Sequence, residues 1–208
     1  MLPFGKPSVF YLTESTSSPL TNDHDNAVLT PRHSLNIHDL DGKGKEWVVE
    51  ATVSKISIYN SKNFRLRFKG RIISSTIDVF QSSCLEISVE NHLGTLQLDP
   101  TLENVSINYN EPSSIGKIVI SPTRSSSESK DSGYKNLSFT VGEEGETTFI
   151  LADKEGRLFD PQPGDDQSLR VVEMGEEQWV LSYIEEEGRA RGWKLEGLKR
   201  GAMNYPIL

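Results

Sequence analysis

Short stretches with apolar residues at alternating positions recur along the middle of this chain, and this repeat restricts the fold more than any other feature. The starts of successive stretches lie 8 to 13 residues apart. Alternation with a period of two is typical of β-strands with one buried face, and a strand every ~10 residues indicates a sandwich, a barrel or a solenoid. The alternating pairs are Ile56/Ile58, Leu66/Phe68, Ile77/Val79, Leu85/Ile87, Leu96/Leu98, Val105/Ile107 and Ile118/Ile120.

The polar corners between these stretches distinguish among the three architectures. They carry Asn, Ser and Asp, as in Asn60-Ser61-Lys62-Asn63, and they lack the Asn-Gly and Gly-Gly pairs that tight hairpins prefer. Short strands joined by small polar corners favour an all-β fold, a β-solenoid with two strands and ~20 residues in each coil. An antiparallel sandwich remains the alternative.

The composition changes twice along the chain and predicts three segments. Residues 1–42 are rich in Ser, Thr, Pro, Asp and His, so we expect a flexible N-terminal arm whose first apolar cluster can dock as a strand. Residues 43–187 form the predicted β-helix domain and end in further β-strands. Residues 188–208 form a basic, aromatic C-terminal tail.

Charge and cysteine content exclude several classes of function. The chain has 208 residues and a net charge of −8, so we expect no nucleic-acid partner, since phosphate binding needs a basic surface. No apolar run approaches the ~18 residues of a membrane span, and no signal peptide is recognised, so we expect a cytoplasmic protein without a membrane partner. The single cysteine, Cys84, excludes an intrachain disulfide and is expected to be a small buried hydrophobe. We expect no metal and no cofactor.

Four cations in one stretch are the candidate partner-binding residues. Arg65, Arg67, Lys69 and Arg71 alternate with apolar residues or glycine. A period of two predicts that all four lie on the solvent face of one strand. Such a cationic ladder suits an acidic protein partner.

The order of motifs resembles a known domain. Residues 47–50 read Trp-Val-Val-Glu, residues 56–63 read Ile-Ser-Ile-Tyr-Asn-Ser-Lys-Asn, and residues 66–72 read Leu-Arg-Phe-Lys-Gly-Arg-Ile. Together with residues 148–151, 159–163 and 178–184, they resemble the C-terminal CARP domain of adenylyl cyclase-associated protein, in the C-CAP/cofactor C-like superfamily. The resemblance covers roughly residues 43–187.

The resemblance implies a function in the cytoskeleton. Members of this family are right-handed parallel β-helix domains that bind actin monomers, promote nucleotide exchange on ADP-actin, and form homodimers by exchanging C-terminal strands, so the resemblance implies the same fold here. In this chain, the residues expected to make dimer or lid contacts are Phe149, Leu151, Trp179, Tyr183 and Trp193.

Two classes of function remain open at this point. The first is a binding module with no chemistry of its own, for which the resemblance gives the actin monomer as partner. The second is a redeployed β-helix that acts as an enzyme or binds an apolar small molecule under a lid formed by the arm and tail. The sequence contains no nucleophile elbow, phosphate loop or zinc-protease motif, so we favour the first class.

Overall fold

The computed structural model describes residues 8–22, 29–99, 101–122, 133–142, 147–161, 170–172, 178–184 and 192–198. Within these ranges the chain forms strands and one 3₁₀ turn, Pro112–Ser114. No helix in the described ranges is long and apolar enough to cross a bilayer. The strands are β1 (Val9–Tyr11), β2 (Ser34–His38), β3 (Asp41–Val49), β4 (Lys55–Tyr59), β5 (Lys62–Phe68), β6 (Thr76–Phe80), β7 (Ser83–Val89), β8 (Leu93–Leu98), β9 (Glu103–Tyr109), β10 (Ile115–Ile120), β11 (Lys135–Val141), β12 (Thr147–Ala152), β13 (Leu158–Asp160), β14 (Arg170–Val172), β15 (Gln178–Ile184) and β16 (Gly192–Leu198).

From β2 to β11, successive strands alternate between two sheets. Sheet A has the order β1-β2-β4-β6-β8-β10-β15-β16, and sheet B has the order β14-β13-β12-β11-β9-β7-β5-β3. Neighbours from β1 to β10 in sheet A and from β3 to β11 in sheet B are parallel. A chain that alternates between two parallel sheets winds into coils, here about five. The predicted β-solenoid is therefore confirmed, and the antiparallel sandwich is excluded.

Each coil stacks equivalent side chains on those of the next coil. Ile56 is in register with Ile77, and Leu66 is in register with Ile87. Every residue of the seven alternating pairs is buried. Since burying one such side chain contributes ~1.5–3 kcal/mol, these inward columns supply the main stabilisation of the solenoid.

One corner column takes the left-handed backbone conformation in successive coils. It consists of Asn63, Cys84, Asn104 and Asn136, whose φ angles are 58°, 52°, 54° and 49°. Asparagine adopts this conformation more readily than most residues, and its amide can bond the next coil. Asn136 Nδ2 donates to Asn104 Oδ1 at 2.8 Å. The asparagines at these corners therefore both turn the chain and connect the coils.

The structure differs from the expected flexible arm over residues 1–42. In the described part of that segment, β1 and β2 belong to sheet A, and Leu20, Leu29 and Leu35 are buried. Trp47 Nε1 donates to the Thr16 carbonyl oxygen at 3.0 Å, so residues 12–22 cover the first coil. The low apolar content of this segment wrongly indicated a flexible arm, because one coil of a solenoid needs only a few inward-facing apolar side chains. Residues 1–7 and 23–28 lie outside the described residues.

Antiparallel strands close the other end of the solenoid. In sheet B, β12 pairs with β11, and in sheet A, β15 pairs with β10 and then with β16. The described part of the predicted tail 188–208 is β16. Its Trp193 is 4% exposed, so this segment completes the core, and the rest of the tail lies outside the described residues.

Candidate partner-binding surfaces

The four predicted partner-binding cations do not share one strand face. Arg65 and Arg67 are exposed on the outer face of β5, as the alternation predicts. Lys69 and Arg71 follow the end of β5 and lie in the corner before β6. The chain bends at Gly70, which packs so closely on Ala51 that a Cβ would overlap its carbonyl oxygen. The prediction of a single four-residue ladder is therefore wrong, and two cations lie on the sheet and two at its corner.

Acidic side chains on neighbouring coils surround the two strand cations. Arg65 is in register with Glu46 on one side and Glu86 on the other. Arg67 Nε lies 3.6 Å from a carboxylate oxygen of Glu46 and 3.8 Å from one of Glu90. These ion pairs are solvent-exposed and contribute at most about 1 kcal/mol each to folding. We call this mixed surface, Glu46, Arg65, Arg67, Glu86 and Glu90, the charged face.

Two grooves flank the charged face of sheet B. The first has a volume of about 690 Å³ and the second about 520 Å³. Arg65 contributes to the first groove and Arg67 to the second, so both cations are accessible to a partner. The first is lined by Asp41, Lys43, Gly44, Asn63, Phe64, Arg65, Cys84, Leu85 and Glu86; the second is lined by Arg67, Ser88, Val89, Glu90, Asn108, Tyr109, Asn110, Thr140 and Gly142.

Cys84 and Asp41 both line the first groove. Cys84 is exposed rather than buried, because its left-handed corner position turns its side chain out of the core. The pKa of Asp41 lies below its usual value, because its carboxylate accepts hydrogen bonds from the Asn63 amide and the Lys43 backbone N–H, both at 3.1 Å. The Asp41 carboxylate at this groove is therefore ionised at neutral pH.

An aromatic surface on sheet A was not anticipated from the sequence. The His38 ring lies 6.0 Å from the Tyr11 ring and 5.8 Å from the Tyr59 ring, both edge to face. We call Tyr11, His38 and Tyr59 the aromatic stripe; Phe80, in register with Tyr59, extends it. The signal that could have revealed it is the placement of His38, Tyr59 and Phe80 one coil apart, each 21 residues after the last.

The residues predicted to make dimer or lid contacts close the core of their own chain. Phe149, Leu151 and Trp193 are buried, and Trp179 and Tyr183 pack against the core. The Trp193 ring lies 5.2 Å from Tyr183 and 6.4 Å from Phe149. These five side chains therefore pack within their own chain, and both the lid and strand exchange in a dimer stay predictions.

Comparison with known proteins gives no relative for this chain. No family model, curated protein or solved structure matches it. Within the described ranges, no three His, Cys, Asp or Glu side chains come together as a metal site. A functional proposal therefore depends on the two outer faces of the solenoid and on the sequence resemblance.

Proposed function

We propose that this chain is a protein-binding β-solenoid module, that its partner is the actin monomer, and that the charged face is the contact. The observation that carries the proposal is the position of Arg65 and Arg67. Both are exposed on a regular sheet, and each contributes to a groove beside them. A partner can therefore contact the cations and fill the grooves at the same time.

The construction of the face favours protein binding. Arg65, Arg67 and Glu86 project from β5 and β7, which are hydrogen-bonded to neighbouring strands on both sides, so this part of the surface loses little backbone freedom when a partner docks. Its alternating charges match a partner in one register only, which gives specificity more than raw affinity. Lys69 and Arg71 extend the positive charge around the corner of the same coil.

The resemblance to adenylyl cyclase-associated protein supplies the partner. The proposal includes four parts taken from that family: binding of actin monomers, nucleotide exchange on ADP-actin, a homodimeric working unit and a cytoplasmic location. β14 and β16 support the dimer, because they are the last described strands of their sheets and carry the exposed residues Val171 and Leu198. Strand edges of this kind can pair with a second chain.

A fluorescence titration tests the proposed contact. Labelled ADP-bound actin monomer is titrated with the full chain, with the double variant R65A/R67A, and with K117A as the matched control. Lys117 is also exposed, but it lies on β10 of sheet A. We expect saturable binding that weakens with salt, about a tenfold or greater loss (~1.4 kcal/mol) for R65A/R67A, and no change for K117A.

Two results would contradict the proposal. Absence of saturable binding up to about 50 μM would exclude actin as a partner of useful affinity. Equal losses for K117A and R65A/R67A would exclude the charged face as the contact. Release of a fluorescent ADP from actin, followed in the same titration, tests nucleotide exchange separately.

A further inference from the structure

We propose that the aromatic stripe on sheet A is a second binding site, for a short extended peptide segment that carries arginine or lysine. The stripe lies on the opposite sheet from the charged face, so this site is independent of the proposed actin contact. Three kinds of observation support it: the exposure of the rings, an unpaired polar atom among them, and the charge on either side.

Tyr11 and Tyr59 present exposed aromatic rings on the outer face of sheet A. Tyr11 is 58% exposed and Tyr59 is 40% exposed, although both lie on regular strands. His38 contacts both rings edge to face. Clustered exposed aromatic side chains mark interaction sites, and tyrosine combines a large apolar area with little conformational freedom to lose.

One polar atom in the stripe has no hydrogen-bond partner in the described part of the chain. His38 Nε2 is buried, and no hydrogen bond satisfies it within the described residues. A buried, unpaired polar atom costs roughly 1–3 kcal/mol. Most such atoms in folded proteins are paired, so this one indicates a group that a ligand can satisfy. Its neighbour Tyr11 lies on β1, a three-residue strand at the edge of sheet A, and can adjust when a ligand binds.

The charge beside the stripe selects a cation. Asp39 is exposed at the corner directly after His38, and Asn60 Nδ2 donates to its Oδ1 at 2.6 Å. Lys55, on the same strand as Tyr59, pairs with the buried Asp78, so its charge is neutralised and does not repel a cationic ligand. The chain as a whole carries a net charge of −8. A guanidinium or ammonium group over a tyrosine face gains cation–π energy and can also pair with Asp39, whereas an acidic ligand would be repelled.

The spacing of the rings sets the spacing of the cations. Tyr11 is in register with Asn36 rather than His38, so Tyr11 and Tyr59 are two strands and about two residues apart, roughly 12 Å. A polyproline II peptide rises ~3.1 Å per residue with three residues per turn, so positions i and i+3 lie on one side, about 9 Å apart. The remaining difference of about 3 Å is within the reach of flexible arginine side chains, so a peptide with cations at i and i+3 can place one on each tyrosine.

A fluorescence polarisation titration tests this site with defined probes. The full chain is titrated into labelled Pro-Pro-Arg-Pro-Pro-Arg-Pro-Pro, into the same peptide with glutamate at both arginine positions, and into labelled cellohexaose. We expect saturable binding of the arginine peptide with a Kd below about 1 mM, and no binding of the other two probes. Equal binding of the glutamate peptide or of the sugar would overturn the proposal, because it would show that charge does not select the ligand.

Variants locate the site on the stripe. Y59A is expected to weaken binding of the arginine peptide at least fivefold, and D39N about twofold to threefold. I150A is the matched control, since Ile150 is 47% exposed but lies on β12 of sheet B. It should leave the affinity for the arginine peptide unchanged. Because Tyr59 is exposed, Y59A should keep its fold; if thermal unfolding shows otherwise, Y11A gives the same test. Unchanged affinity in the folded tyrosine variant would exclude the stripe.

Discussion

Replacing Cys84 with asparagine should stabilise the protein. Cys84 occupies a left-handed corner position with φ at 52°, between Asn63 and Asn104 of the adjacent coils. Left-handed backbone geometry destabilises an ordinary residue by roughly 1–2 kcal/mol, and the penalty is smaller for asparagine. Cysteine also interrupts the amide column in which Asn136 Nδ2 donates to Asn104 Oδ1.

The expected gain follows from these two contributions. C84N relieves part of the backbone cost and adds up to two amide hydrogen bonds, from its own side chain to Asn63 and from Asn104 to it. At an exposed corner each bond is worth about 0.5 kcal/mol, so the free energy of unfolding should rise by about 1–2 kcal/mol. For a chain of this size, that raises Tm by roughly 2–8 °C.

Thermal and urea unfolding under reducing conditions measure the effect of C84N. C84A is the matched control, because alanine removes the thiol but neither fits the left-handed corner better nor joins the amide column. We expect C84A to leave stability unchanged or slightly reduced. A C84N protein no more stable than C84A would refute the reasoning that the corner column stabilises the coils.

Two further changes test the packing and the buried phenols. G116A should lower the unfolding free energy by about 3 kcal/mol or more in urea unfolding, because its Cβ would overlap backbone carbonyl oxygens of the preceding coil; G192A, with open space around it, should not. Burial raises the pKa of Tyr109 and of Tyr134 well above the usual tyrosine value of 10.0, so both stay neutral in the folded chain while the unfolded chain ionises. Their contribution to stability is therefore complete below pH 10 and is lost above it, by about 1.4 kcal/mol per pH unit for each group; a urea midpoint that stays constant from pH 9 to pH 11 would contradict this.

The coils could be predicted because their signal is local. Within each strand the period of two identifies the buried residues, and pairs such as Leu66 and Phe68 point inward as expected. The first coil was missed because it contains few apolar residues, and Leu35 and Ile37 alone fill the inward positions of β2. The proportion of apolar residues in a segment is therefore a poor predictor of a solenoid coil, because one strand needs only two buried apolar side chains.

The binding surfaces could be predicted only in part, because they depend on register between coils. The exposure of Arg65 and Arg67 follows from alternation within β5. Their acidic surroundings do not, because Glu46 and Glu86 lie about one coil away in the sequence and become neighbours only when strands stack. The aromatic stripe was missed for the same reason.

Analytical ultracentrifugation of the full chain with ADP-bound actin monomer, at low and high salt, tests the central claim of a protein-binding module most directly. We expect the 23.3 kDa chain to sediment alone as a dimer and to form a heavier complex with actin, whose affinity falls as the salt concentration rises. Sedimentation of the chain and actin as separate species at both salt concentrations would contradict it.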